Sequence, residues 1–212
     1  MVIVTEFGCA VHEYVERYSG LVFPRPHECP HCRGVDQFIG HGFYERKALS
    51  PTQVYVLCIK RWYCKACRRT VSLLPSFVLR FRHYLLDVIQ LVVITRFEDA
   101  ASWAQVAQRG AVDGAPSSRT MHRWGDSFAE HASVWWAAVQ QTLAEQDAAS
   151  PLLDPLGAAA GPREAPRALL QAALHLLAWA KTRWAALANY GLADRLRFLW
   201  HWGAGRGLGR LL

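Results

Sequence analysis

Cys29-Pro30-His31-Cys32 and Cys64-Lys65-Ala66-Cys67 are the two stretches that decide the fold. Each is a C-x-x-C, a spacing that folds a tight knuckle with both sulfurs turned inward. Two knuckles supply the four thiolates that one tetrahedral zinc ion needs. The sequence therefore predicts a single structural Zn2+ held by Cys29, Cys32, Cys64 and Cys67. The 31 residues between the knuckles exceed the usual ~15–20, and a hairpin with a generous loop fits the gap. Gly34 follows the first knuckle, where a positive φ is often required. A thioredoxin-like redox pair would need a βαβ setting, which is missing here. An iron–sulfur cluster also takes four cysteines, and the sequence leaves it open. Among the other candidate ligands, His27, His31, His41 and Cys58, none is preferred. His31 lies between two ligands and is expected to point away, and Cys58 reads as a small buried hydrophobe on a strand. Cys9 has no evident partner.

Outward from the knuckles, Gln53 to Tyr63 is rich in β-branched and aromatic residues, a strand signature. Phe38 to Arg46 is its weaker hairpin partner, with Ser50-Pro51 at the turn. This β zinc ribbon is expected over residues 23–82. Residues 1–22 read as an N-terminal extension with a short strand at Val2–Val4. Its continuation Phe23-Pro24-Arg25-Pro26 is extended, because each proline disfavours helix in the residue before it.

After Pro75 the pattern turns helical, and residues 83–146 are expected to form a helix-turn-helix region. Tyr84 to Val93 is a strongly apolar helix. Ala101 to Arg109 is a short one ended by Gly110. Asp113-Gly114-Ala115-Pro116 is turn chemistry, and Ser117 can cap a third helix running to about Glu145 with one break. In that helix Met121, Trp124 and Phe128 share an inward face. Arg119, His122, Arg123 and Asp126 share the opposite one. Aromatic anchors behind, with Ser118, Arg119, His122 and Arg123 near the start, are the arrangement of a recognition helix. The seven-residue connection from Gly110 to Pro116 is longer than the usual three or four. Residues 147–166 carry four prolines with Ala and Gly and read as a linker. Residues 167–212 read as a C-terminal apolar helix, Arg167 to Leu187, and a loose tail whose last stretch, Gly203 to Leu212, is Gly- and Arg-rich. The fold class expected is thus α+β: a small β ribbon, then a mainly α-helical region.

Of the 212 residues, 52% are apolar, which is enough for a core and excludes disorder over most of the length. No signal peptide is expected, because Met1–Val4 is too short for an apolar core and Glu6 follows at once. The apolar run Leu169–Ala180 is too short for a membrane span. A cytoplasmic protein with reduced thiols and no membrane partner is expected. The net charge of +7 is uneven: Lys60 to Arg82 holds seven basic residues and no acid. Lys65, Arg68 and Arg69 in this run have two readings. They contact phosphate, or they offset the formal −2 charge of a four-thiolate zinc site.

Taken together, Glu28–Cys32, Tyr63–Pro75 and Ser118–Trp124 resemble zinc-ribbon-plus-helix-turn-helix proteins found in and around bacterial insertion-sequence transposases. The Cys-Arg-Arg-Thr-Val-Ser-Leu-Leu-Pro stretch, residues 67–75, is the most specific match. The resemblance implies double-stranded DNA as partner, with the cysteines as zinc ligands and the helix from Ser118 as reader. A full transposase also carries three separated carboxylates that hold two metal ions. After Trp124 only 88 residues remain, with no strand pattern to support such a set. No catalysis by this chain is therefore expected. It would work as a homodimer or beside a separate transposase chain. The alternative is a zinc-ribbon interaction module that dimerises or docks through its apolar C-terminal helix.

Overall fold

In a computed structural model of the chain, residues 1–17, 20–109, 115–146, 161, 163–209 and 211–212 are described. They form a four-stranded sheet followed by helices, an α+β protein. Two compact units divide it, one spanning Met1–Leu86 and the other formed by the described residues from Asp87 on.

The first unit is built on β1 (Val2–Thr5), α1 (Val11–Arg17), β2 (Phe38–Leu49), β3 (Val54–Cys64) and β4 (Thr70–Pro75). The sheet order is β1-β4-β3-β2, with β2–β3 and β3–β4 antiparallel and β1 parallel to β4. The expected hairpin is present, and its β2 arm runs three residues past Arg46. The N-terminal stretch is no extension, because β1 completes the sheet and buried Tyr14 of α1 gives its hydroxyl to the Cys58 carbonyl at 2.8 Å. Two features were missed: β4, which is short, and the parallel seat beside it of the expected Val2–Val4 strand. Past β4 the chain crosses the sheet without regular structure. The Arg46 guanidinium fastens it there by donating to the carbonyls of Leu79 and Arg82.

The second unit contains α2 (Leu86–Phe97), α3 (Trp103–Arg109), α4 (Ser118–Gln146), α5 (Ala165–Lys181) and α6 (Arg195–Gly205). Helix α2 starts two residues later than expected, since Tyr84 still bridges Leu49 in extended form. It is apolar on most sides, as a buried helix should be. Ser102 and Gln105 cap α3 reciprocally, one of the sequence signatures of a helix start. Helix α4 is continuous rather than broken. It packs along α5, and its buried stripe is Phe128, Ala132, Trp135, Val139 and Leu143, of which Phe128 meets Phe97 of α2 and Trp135 meets α6. Helix α5 stops at Lys181, and a separate 3-10 turn covers Ala185–Leu187.

The loose tail expected from Gly203 is a correction. Gly203 belongs to α6, and a Cβ there would come within 2.2 Å of the Trp135 ring. This glycine is a notch that lets α6 close on an indole, not a helix breaker. Leu211 and Leu212 are buried as well. Most of the expected linker, residues 147–160 and 162, lies outside the described residues. Its last two, Ala165 and Pro166, are the first turn of α5, where proline is tolerated. No helix of the described residues is long and apolar enough to cross a membrane.

Candidate functional site

Both knuckles fold by the same backbone pattern. In the first, the Cys29 N–H donates to the Gly34 carbonyl at 3.0 Å and the Arg33 N–H to the Cys29 carbonyl at 2.9 Å. In the second, Cys64 N–H donates to Arg69 and Arg68 N–H to Cys64, each at 2.9 Å. Arg33 and Arg68 take the left-handed conformation, both at φ 61°. The positive φ expected of Gly34 thus falls one residue earlier. Gly34 has a different reason to be glycine: a Cβ there would stand 3.4 Å from the Cys32 sulfur and 3.3 Å from Gln37 Cγ. The Lys65 N–H donates to the Gln37 carbonyl at 2.9 Å, tying the second knuckle to the start of β2.

This pairing of turns brings Cys29, Cys32, Cys64 and Cys67 together, with all four sulfurs within 4.8 Å of one another. Cys29–Cys67 and Cys32–Cys64 are each separated by 3.8 Å. A regular tetrahedron around an ion with thiolate bonds of about 2.3 Å has edges of about 3.8 Å. The four cysteines can therefore hold one metal ion. Behind them Phe38, Val71, Ile3 and Trp62 form a small apolar core shared with the sheet.

Electrostatics divides the thiols. Burial pushes Cys29 up, but N–H groups of Cys32 and His31 aimed at its sulfur outweigh that and bring it down to about 7. Cys67 is pushed up to about 12 by burial and by its three sulfur neighbours. Without a cation, Cys67 keeps its proton at neutral pH, so metal has to displace it and affinity falls on acidification. The other candidate ligands lie elsewhere. His27 pairs with Asp36 at 2.9 Å, His41 stands against the Tyr63 ring, and His31 is exposed. Cys58 is half-buried rather than fully buried, as is Cys9.

Lys65, Arg68 and Arg69 are exposed at the second knuckle. None joins an ion pair among the described residues.

In the helical unit, Ser117 caps α4 by accepting from the Thr120 N–H at 3.3 Å. Met121, Trp124 and Phe128 are buried, and Ser118, Arg119, Arg123 and Asp126 are exposed. His122 differs from them, because its ring stacks on Trp103 of α3 at 4.1 Å. Gly125 makes this possible, since a Cβ there would meet the Trp103 ring at 2.5 Å. Arg96 of α2 also lies over Trp103, and its Nη1 donates to the Ala101 carbonyl at 3.1 Å. Trp103 is thus the residue that docks α3 on α4, a role its place in a seven-residue helix did not reveal. Replacing Gly125 by alanine should dislodge it and cost roughly 1–3 kcal/mol through overpacking. Thermal unfolding would show this, and an unchanged midpoint would contradict the docking. The turn residues 110–114 lie outside the described residues.

Residues 29–124 match a protein family described as Domain of unknown function (DUF6431). The matched segment starts on the first metal-site cysteine and ends at Trp124, so it takes in both knuckles and the start of α4. No curated protein and no solved structure matches the chain.

Proposed function

We propose that this chain is a zinc-dependent binder of double-stranded DNA that serves a bacterial transposition system and carries out no chemical step of its own. The observation that carries the DNA reading is the start of α4. Its first two turns turn Ser118, Arg119 and Arg123 outward, while Met121 and Trp124 anchor them and α3 is docked behind through Trp103. Arginine forks near a helix start can reach base edges in a major groove. His122, stacked on Trp103, is better suited to orienting the helix than to reading bases. The link to transposition rests on the resemblance of the knuckle and helix sequences, and a separate transposase chain is the natural partner.

Zinc is the metal we assign. Four sulfurs within 4.8 Å of one another, two of the pairs at 3.8 Å, suit a single tetrahedral ion. An iron–sulfur cluster would place several irons and sulfides between the thiolates and hold them farther apart. The zinc supplies folding free energy and no reactivity, because a closed four-thiolate site keeps no open position. The alternative, an interaction module dimerising through the C-terminal helix, keeps little apolar surface beyond exposed Trp184 and half-buried Leu174. Leu169, Leu170 and Leu177 of α5 are buried within the chain's own helical unit.

The test separates the two basic groups. Arg123→Ala or Arg119→Ala should lower affinity for a preferred duplex by roughly 1–3 kcal/mol and flatten the preference between sequences. Arg68→Ala should weaken all duplexes alike and reduce the salt slope by about one unit. Helix variants that bind specific and scrambled duplexes as the parent does would remove the reader assignment. An unchanged salt slope in Arg68→Ala would leave the knuckle arginines to the metal alone.

A further inference from the structure

Side chains alternate across a strand, so the register sorts the sheet into two faces. Phe38, Trp62, Cys64, Val71 and Ile3 fall on one face and build the core beneath the cysteines. The opposite face, at the same end of the sheet, carries two rows. Ile39, Tyr63 and Thr70 line up across β2, β3 and β4, and Arg61, Ser72 and Val2 form the next row across β3, β4 and β1. At this end the second face is open: Ile39 is 45% exposed and Tyr63, Arg61, Thr70 and Ser72 are half-buried, while farther along the same face Ile59 and Leu74 are buried. Its centre is aromatic, with the Tyr63 ring 5.6 Å from that of exposed His41. Its charge has one sign. Arg61 is in no ion pair among the described residues, and neither are Lys65, Arg68 and Arg69 in the loop that joins β3 to β4. No acid lies between Lys60 and Arg82.

We infer that this open sheet face binds single-stranded DNA, stacking an unpaired base on Tyr63 and running the backbone past Arg61 toward the cations of the second knuckle. The charge complementarity argues for a polyanion. A flat aromatic among hydroxyls and a guanidinium suits a strand whose bases are free to stack, whereas a duplex hides its base faces. The choice of DNA over RNA rests on the duplex reading proposed above. The stacking itself does not. Unpaired DNA beside a bound duplex is what strand breakage or local melting produces, so the two surfaces would serve one substrate in two states.

The experiment titrates zinc-loaded full chain against fluorescein-labelled oligo(dT), oligo(U) and a duplex of the same length. Tyr63→Leu keeps an apolar strand residue but removes the stacking surface. It should weaken oligo(dT) about ten-fold or more while metal content and duplex affinity stay at parental values. Tyr63→Phe should bind oligo(dT) like the parent. Arg61→Ala should weaken oligo(dT) and flatten its salt dependence by roughly 0.7 per lost phosphate contact. A Tyr63→Leu variant that retains metal and binds oligo(dT) as the parent does would overturn the inference. So would a Tyr63→Phe variant as weak as Tyr63→Leu, a parent that ignores oligo(dT), or one that prefers oligo(U). Failure of the duplex reading looks different: Arg123→Ala leaves duplex affinity intact whatever Tyr63 does.

Discussion

Replacing Cys64 by serine should cost the sheet unit its folded state, and chelation of the metal should do the same. Cys64 is fully buried at the end of β3, its sulfur 3.8 Å from that of Cys32. Serine is a poor zinc ligand, and it would leave a hydroxyl in the apolar core formed by Phe38 and Val71. Structural zinc contributes roughly 10–16 kcal/mol in small peptides. A whole domain is stable by only about 5–15 kcal/mol, so the metal decides the balance. Metal analysis should find one zinc per parent chain and none in Cys64→Ser. Amide exchange in β2, β3 and β4 should lose protection together. Cys58→Ser is the control, because its sulfur is outside the cluster and only packing should suffer. Retained zinc and retained sheet protection in Cys64→Ser would contradict this assignment.

Deleting residues 164–212 should unfold or aggregate the helical unit rather than shed a passive tail. Helix α5 packs along α4, α6 closes on Trp135, and fully burying one apolar side chain of the α4 stripe is worth roughly 1.5–3 kcal/mol. Helix α6 is held by polar clamps. Gln90 donates to the carbonyls of Leu192 and Ala193 and accepts from the Leu196 N–H at 2.7 Å. The buried Arg195 guanidinium makes a bidentate pair with Glu98 at 2.6 and 3.1 Å. Arg195→Ala isolates one clamp. Removing one partner of a buried pair costs roughly 3–5 kcal/mol, and partial exposure of Glu98 places the expectation near the lower figure. Denaturant unfolding reads the single variant, and light scattering reads the deletion. A soluble, monodisperse deletion variant as stable as the parent would show that α5 and α6 do not support α4.

How much of this could be read from residues differs between the two units. The knuckle spacing alone placed four sulfurs within reach of one ion, because C-x-x-C constrains the backbone locally. Strand β3 was legible from its run of β-branched and aromatic residues, and the buried face of α4 from Met121, Trp124 and Phe128. What stayed hidden depends on contacts distant in sequence. Val2–Thr5 is too short to announce a parallel partner seventy residues away. Gly125 and Gly203 look like breaks in helices, and only the indoles of Trp103 and Trp135 explain them. The same holds for Arg195, which reads as a surface charge until Glu98 is placed beside it.

The central claim, a zinc-ordered protein that reads duplex DNA through the start of α4, meets its most direct test in selection from random duplex DNA. Zinc-loaded parent, zinc-stripped parent and Arg123→Ala would be taken through the same rounds and the bound sequences compared. The account predicts a recurrent motif with zinc-loaded parent, little recovery with stripped protein, and a degenerate motif with Arg123→Ala. Unenriched sequences from zinc-loaded parent, or the same motif from all three proteins, would contradict it.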